Sequence, residues 1–139
     1  MKETDRQRMR KVAEWLAFAD DDIRLARHAM AMESPVPYRL VAYHAQQCAE
    51  KHLKAFLVSR NVDFPYTHNI STLLELCTPH TDWSETLAEA EELTPHAITT
   101  RYPGLHDQVG RDDVTRAMDL AERVRKVVRE ALGEMGREF

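Results

Sequence analysis

Apolar residues recur at steps of three and four along almost the whole chain, and this spacing constrains the fold more than any other feature. Such spacing places apolar side chains on one face of a helix. The first such stripe is formed by Val12, Trp15, Leu16, Ala19, Ile23, Ala26 and Met30. The acidic run Asp20 to Asp22 and the basic Arg24 and Arg27 are expected largely outside it. Since no alternating strand pattern is present, the sequence predicts an all-α protein.

Prolines divide the first half of the chain into three predicted helices. The first stops before Pro35 and Pro37, because proline lacks an amide donor and restricts the residue before it. A second helix is predicted from about Tyr38 to Arg60. Its apolar stripe is broad, which is typical of a central helix, and consists of Val41, Ala45, Cys48, Ala49, Leu53, Phe56 and Leu57. A short third helix is predicted to start at a cap formed by Thr67 or Asn69 and to end at Pro79, with Ile70, Leu73, Leu74 and Cys77 facing inward.

Two further helices are predicted in the second half. The fourth starts at about Ser84, is kinked at Pro95, and has a core face formed by Leu87, Ala90, Leu93, Ala97 and Ile98. The fifth starts at Asp112 and Asp113, whose carboxylates suit a helix N-terminus, and ends near Gly133 or Gly136. Its predicted core positions are Val114, Ala117, Met118, Ala121, Val124, Val128, Ala131, Leu132 and Met135. We therefore expect residues 1–139 to form one domain, an antiparallel four- to five-helix bundle.

The charge and the cysteine content indicate which kinds of protein are excluded and which cellular compartment is expected. The chain has 19 Lys and Arg against 23 Asp and Glu, a net charge of −4, which argues against a general nucleic-acid binder. Cys48 and Cys77 both lie in apolar helical contexts outside any CxxC pair, as expected for buried thiols in a reducing cytoplasm. The N-terminal segment lacks the apolar core of a signal peptide, and no apolar run is long enough to span a bilayer. We expect a soluble, cytoplasmic protein.

Histidines are the first candidates for chemistry. His44, Cys48 and His52 are spaced by four on the second helix, so a metal site is one hypothesis, although three ligands fall short of a structural site. His52 lies within the apolar stripe, which favours a hydrogen-bonded core histidine. His44, Gln47 and Lys51 are predicted to form one polar edge of this helix. The sequence contains no HExxH, zinc-finger, GxGxxG, Walker A or GxSxG motif, and no cofactor is expected.

Arg101 and His106 are the second candidates. Four residues separate them, in a stretch that Pro103 and Gly104 exclude from regular helix. A guanidinium can bind two phosphate oxygens, and an imidazole can transfer a proton near neutral pH. This combination suits phosphate chemistry.

Three sequence segments resemble the HEPN family: HAQQCAEKHLKA at residues 44–55, THNI at residues 67–70, and RYPG at residues 101–104, followed by an amphipathic closing helix. The resemblance runs from the first helix nearly to the C-terminus. It implies a helical bundle, usually a homodimer, in which an Arg-x4-6-His motif cleaves RNA without a metal. The motif maps onto Arg101 and His106, with two copies facing each other across the two-fold axis. It also implies a nucleotidyltransferase-type antitoxin as a possible partner.

Two positions depart from the family pattern. Active members often carry a small polar residue after the arginine, where this chain has Tyr102 and then Pro103. Members paired with a nucleotidyltransferase can carry a modifiable tyrosine two residues after the histidine, where this chain has Gln108. Tyr102 is a nearby hydroxyl that could take its place. A non-catalytic helical module that binds a nucleotidyltransferase partner or a nucleotide is therefore the alternative to a ribonuclease.

Two polar surfaces allow further predictions. If the edge formed by His44, Gln47 and Lys51 lines the same groove as Arg101, these residues would orient a phosphate or the loop itself, with Tyr102 as a further supporting residue. Otherwise the edge is a surface hydrogen-bond network. The basic residues of the last helix are predicted to form a solvated face, with ion pairs at helical spacing to Asp119 and Glu122. They are Arg116, Arg123, Arg125, Lys126 and Arg129.

Overall fold

The computed structural model describes residues 3–99 and 109–133, and all the regular secondary structure in these two ranges is helical. The six α-helices are α1 (Glu3–Met30), α2 (Tyr38–Ser59), α3 (Ile70–Cys77), α4 (Trp83–Thr86), α5 (Thr94–Thr99) and α6 (Arg111–Leu132). Two 3-10 helices, Thr78–His80 and Ala88–Leu93, lie between them. The predicted all-α class is confirmed. Within the described ranges no helix is long and apolar enough to cross a membrane.

Helices α1 and α2 form an antiparallel hairpin that supplies much of the core, and α2 packs in turn against α6, α3 and α5. The predicted apolar stripes are confirmed: in α2 all seven predicted core residues are buried, and in α1 only Trp15 and Met30 are partly exposed. One expectation was wrong. Asp22 is buried at the edge of the α1 stripe, because it pairs with side chains of α2.

Helix α6 runs parallel to α2, since its first residue, Arg111, lies near Tyr38 and its late residue Arg129 reaches His52. Asp113 accepts a hydrogen bond from the Gly110 amide at 2.9 Å, as expected for a carboxylate at a helix start. The helix ends at Gly133, whose φ of +59° is readily adopted by glycine. Met118 and Ala131 are partly exposed rather than buried. Met135 lies outside the described residues.

Helix α3 begins and ends as predicted. The Asn69 side chain accepts a hydrogen bond from the Thr72 amide at 3.0 Å, so Asn69 is the cap, and Thr67 instead accepts from the Asn69 amide. The α-helix ends at Cys77, and Pro79 lies in the 3-10 turn that follows. Leu74 is partly exposed, while Ile70, Leu73 and Cys77 are buried.

The prediction of a single fourth helix from Ser84 was wrong. The segment is divided into α4, the 3-10 helix Ala88–Leu93 and α5, and Pro95 lies in the first turn of α5 rather than at a kink. Four of the five predicted core residues are buried, but Ile98 is 54% exposed. A break at Leu93 changes the helical phase, so Ala97 faces the core and Ile98 faces away from it.

The basic residues of α6 form ion pairs, but with other segments of the chain. Arg116 pairs with Glu89 and Glu92, and Arg123 with Glu89. Arg125 and Arg129 both reach Asp20 of α1, and Glu122 pairs with Arg27. The prediction of pairs at helical spacing within α6 was therefore wrong for these side chains, because acidic residues of neighbouring segments lie within reach.

Candidate functional site

Helix α2 carries a continuous row of polar side chains, which we call the polar ridge. Its members lie on turns of α2 that follow each other at steps of three and four. They are His44, Gln46, Gln47, Glu50, Lys51 and Lys54. Four of them are buried, namely Gln46, Gln47, Glu50 and Lys54. Buried polar groups require partners, and the ridge finds them in two clusters.

The first cluster is centred on Asp22 of α1. Its carboxylate accepts from His44 Nδ1 at 2.8 Å and from Lys51 Nζ at 2.6 Å. Asp22 is 8% exposed, whereas the side chains of His44 and Lys51 are 25% and 21% exposed. A carboxylate on Nδ1 orients the ring and leaves Nε2 as the outer nitrogen. The cluster fixes α1 against α2.

The second cluster is centred on Glu50, which is 2% exposed. Lys54 donates to its Oε2 at 3.0 Å, and His68 Nδ1 lies 2.8 Å from its Oε1. Gln46 and Gln47 also donate to Oε1, at 3.1 and 3.3 Å. Gln46 additionally donates to the His68 carbonyl. Glu50 thereby holds the segment between α2 and α3 against the polar ridge.

The predicted polar edge is thus divided between two networks. His44 and Lys51 meet at Asp22, while Gln47 bonds to Gln46 and Glu50. If the edge lay away from Arg101, its residues were expected to form a hydrogen-bond network at the surface. Gln47 is buried, so this network is not confined to the surface. The sharing of a groove by this edge and Arg101 stays a prediction.

His52 is the core histidine that the sequence predicts. Its Nδ1 lies 2.8 Å from the Cys48 carbonyl oxygen, which can only accept, so Nδ1 carries the proton. Nε2 then accepts from Arg129 Nε at 3.3 Å. Burial lowers the pKa of His52 to about 4, against a raising contribution from the Cys48 carbonyl. His52 therefore stays neutral at physiological pH.

The arrangement of His44, Cys48 and His52 does not favour the metal hypothesis. His44 is directed to Asp22 on one side of α2, whereas His52 is directed to Arg129 on another. Within the described part of the chain no group of three or more His, Cys, Asp or Glu residues has a metal-binding arrangement. Burial raises the pKa of the Cys48 thiol, and that of Cys77 to about 12. Both thiols are free and buried, as predicted.

The predicted catalytic residues Arg101 and His106, with Tyr102, lie outside the described residues. The described chain stops at Thr99, the end of α5, and resumes at Val109, just before α6. The first residue of α6, Arg111, has its guanidinium 5.8 Å from the ring centroid of Tyr38 at the start of α2. The start of α6 therefore lies at the end of the bundle where α2 begins.

His96 of α5 is a further titratable side chain, and no sequence pattern singles it out. It lies in a cleft with Glu92, Asp112, Asp113 and Arg116. Burial lowers its pKa, with Asp113 acting in the opposite direction.

Asp22, Glu50 and His68 are further members of the clusters that the sequence did not predict as site residues. Glu50 and His68 lie within the HAQQCAEKHLKA and THNI segments that suggested the family, so their position there was an available signal. Asp22 lies in an acidic run of three residues, which gives no signal of the one that is buried.

The fold and the polar ridge define an all-α bundle built around a central amphipathic helix with buried ionic partners. Comparison with known proteins identifies the family of this bundle. The HEPN domain profile matches residues 12–131, and the chain belongs to the HEPN family. No curated protein matches the chain.

Two solved structures are similar to it. TT1696 from Thermus thermophilus has 29% sequence identity and a TM-score of 0.76, over 86% of this chain and 97% of that one. ST0689, an archaeal HEPN homologue, has 25% identity and a TM-score of 0.70, over 87% of this chain and 97% of that one. Family and fold, both predicted from the sequence, are confirmed.

Proposed function

We propose that this protein is a metal-independent endoribonuclease in which Arg101 and His106 of two identical subunits form a shared site. The observation that supports it is the spacing Arg101-x4-His106 in the segment between α5 and α6 of a HEPN family member. Two copies of the motif would concentrate two guanidinium groups and two imidazoles. A local positive site of this kind is compatible with a net charge of −4.

The chemistry follows from the two side chains. His106 accepts the proton of a ribose 2′-hydroxyl, whose oxygen forms a bond to the adjacent phosphorus. The bond from phosphorus to the 5′-oxygen breaks, and that oxygen takes a proton from the second, protonated His106. Arg101 stabilises the extra negative charge on the phosphoryl oxygens in the transition state. The products are a 2′,3′-cyclic phosphate and a 5′-hydroxyl.

The test is cleavage of a mixed-sequence single-stranded RNA in the presence of EDTA, with analysis of the product ends. We expect 2′,3′-cyclic phosphate ends, and a loss of about 10²- to 10⁴-fold in rate for His106→Ala, the usual contribution of acid-base catalysis. Arg101→Ala should lose activity as well. His80→Ala is a matched control, because His80 is an exposed histidine in the 3-10 turn after α3. Undiminished cleavage by Arg101→Ala would contradict the proposal.

The regulatory part of the proposal is a toxin role, with a nucleotidyltransferase-type antitoxin as partner. Because Gln108 occupies the position of the modifiable tyrosine, Tyr102 is the hydroxyl that such a partner would use. Incubating the protein with a partner encoded beside it and a nucleoside triphosphate should add a nucleotide to the wild type but not to Tyr102→Phe. Equal addition to both would exclude Tyr102.

A second candidate function, a non-catalytic module that binds a nucleotidyltransferase or a nucleotide, is favoured by a different observation. His44 and Lys51 are both directed to Asp22, and most of the cations of α6 pair with acidic groups. These cations are thus engaged within the protein. A stable complex that is unaffected by His106→Ala, together with no RNA cleavage, would favour this function.

A further inference from the structure

A groove runs along the first half of α1 and is lined by Trp15, which is partly buried against the bundle core. Its volume is about 720 Å³, within the range of ligand sites. One wall is α1 from Thr4 to Phe18, and the other is the end of α2 with the chain that follows it, from Val58 to Phe64. The helical wall is about 21 Å long, at about 1.5 Å per residue. None of the residues that line the groove belongs to the polar ridge.

Aromatic rings form the middle and far end of the groove. Phe18 is 57% exposed, although burial of an aromatic side chain of this size is favourable. Trp15 and Phe64 lie next to it, with ring centroids 6.2 Å apart in an edge-to-face arrangement. Lys54 lies beneath both rings, at 5.4 and 5.7 Å from their centroids. The groove therefore presents aromatic surface to solvent.

Cations lie at the other end. Arg8 and Lys11 line the groove one to two turns before Trp15. Lys11 is exposed, and no ion pair to it occurs among the described residues. Arg8 pairs with Asp5 at 2.7 Å, and the two side chains are 35% and 39% exposed, so water already weakens a pair that a phosphate would replace.

Hydrogen-bond acceptors complete the lining. Glu14 and Asp63 line the groove, together with the amide side chains of Gln7 and Asn61. Their oxygens can accept hydrogen bonds from the amino groups of bases. The groove thus combines aromatic surface, cations and acceptors on its two walls.

We propose that this groove binds a single-stranded segment of the RNA substrate. Unpaired bases stack on Phe18 and Trp15, and the phosphates lie toward Lys11 and Arg8. Proteins that bind single strands generally combine aromatic side chains, on which the bases stack, with cations that contact the phosphates. A length of about 21 Å spans several nucleotides, at ~3.4 Å each in a stacked strand. The inference rests on the proposed function, since it takes RNA as the substrate, and it places affinity for the RNA outside the catalytic segment.

The test uses a fluorescein-labelled 12-nucleotide RNA with 2′-O-methyl riboses, which removes the attacking hydroxyl and so separates binding from cleavage. Fluorescence anisotropy gives the affinity, and tryptophan emission reports the location. Trp15 lines the groove, whereas Trp83 is buried against Phe56 in the core. We expect tryptophan quenching by the single strand and weaker binding of the same sequence as a duplex. Binding without any quenching would overturn the placement.

Two pairs of variants locate the site. Phe18→Ala should weaken binding about tenfold, the effect of one lost base stack, while Leu25→Ala is its control. Leu25 lies two turns further along the same helix, is 53% exposed and does not line the groove. Lys11→Ala should reduce the slope of log K against log salt by about 0.7, as for one phosphate contact on a single strand. Arg24→Ala, which removes an exposed cation of α1 outside the groove, is its control.

The outcomes separate this inference from the ribonuclease proposal. Binding that depends on Phe18 and Lys11, in a protein that cleaves no RNA, would support the groove and contradict the nuclease. Cleavage whose KM and RNA affinity are unchanged by Phe18→Ala would support the nuclease and overturn the groove. Equal affinities for all four variants, or no RNA binding by the wild type, would also overturn it.

Discussion

Glu50 and Arg116 each stand at the centre of an ion-pair network, and the two networks differ mainly in their exposure to water. The side chains of Glu50 and Lys54 are 3% and 6% exposed, at a distance of 3.0 Å. The side chains of Arg116 and Glu92 are 41% and 52% exposed, at 2.9 Å. The distances are nearly equal, so distance alone says little about what a network contributes. Burial decides whether losing one partner leaves an unsolvated charge.

The largest effect is expected at Glu50. Glu50→Ala leaves the Lys54 ammonium buried without its carboxylate, and it removes one hydrogen-bond partner from each of His68, Gln46 and Gln47. We expect a loss of about 3–5 kcal/mol in the free energy of unfolding, measured by urea denaturation. Glu75→Ala, at an exposed position of α3, is the matched control and should change it by under ~0.5 kcal/mol. A loss at Glu50 no larger than at Glu75 would remove the distinction between the two networks.

The next largest effect is expected in the pH dependence of stability, and it arises from His52. Its pKa is about 4 in the folded protein and about 6.5 when exposed, so between these pH values the unfolded chain holds the additional proton. Stability should therefore be complete above pH ~6.5 and fall by about 3 kcal/mol as the pH decreases to ~4. Urea denaturation at several pH values measures this slope. Glutamine does not titrate, so His52→Gln should reduce the slope of the unfolding free energy against pH by the equivalent of about one bound proton. An unchanged slope would assign the pH dependence to other groups.

A smaller effect is expected at the cap of α3. Asn69 is exposed, but its side chain accepts from the Thr72 amide, which has no intrahelical partner at a helix start. Asn69→Ala should lower the free energy of unfolding by about 1 kcal/mol, and Asn69→Asp should preserve most of it. The loss expected from removing this exposed hydrogen bond to a backbone group is therefore intermediate between the losses expected for the two networks. A loss as large as that at Glu50 would show that the segment from His68 to Asn69 unfolds as a unit.

The smallest effect is expected at Arg116. Its partners Glu89 and Glu92 are solvated, and the guanidinium beside them lowers the pKa of both carboxyls. Water replaces the guanidinium when it is removed, so Arg116→Ala should leave the midpoint of urea denaturation unchanged within experimental error. Raising the salt concentration should have equally little effect. A clear destabilisation would mean that the exposed network fixes the 3-10 helix Ala88–Leu93 against α6.

Most of the bundle could be predicted from the sequence, because prolines, glycine and apolar spacing act locally. Tyr38, Cys77 and Gly133 mark helix limits close to the predicted ones. The segment after Trp83 was mispredicted. In its middle part the buried residues Leu87, Ala90 and Leu93 are spaced by threes, which is the period of a 3-10 helix. A long-range contact also acts here, since the Thr94 hydroxyl accepts from the Ile70 amide.

The polar clusters were only partly predictable. The burial of His52 followed from its position within an apolar stripe, and the sequence placed His44, Gln47 and Lys51 on one edge. The pairing of that edge with Asp22, and of Glu50 with His68, joins residues 18 to 29 positions apart. No local pattern specifies which of several acidic residues is close enough to pair. The burial of Asp22 in particular depends on how α1 lies against α2.

Asp20 and Asp22 have a consequence for the orientation of α1 in the bundle. Two positions apart on one helix, they contact different neighbours: Asp20 reaches Arg125 and Arg129 of α6, and Asp22 reaches His44 and Lys51 of α2. Turning α1 about its axis by one residue, or about 100°, would separate both carboxylates from their cations. Apolar contacts have no direction, so the stripe by itself tolerates some rotation. The two carboxylates together therefore select one angular setting of the helix.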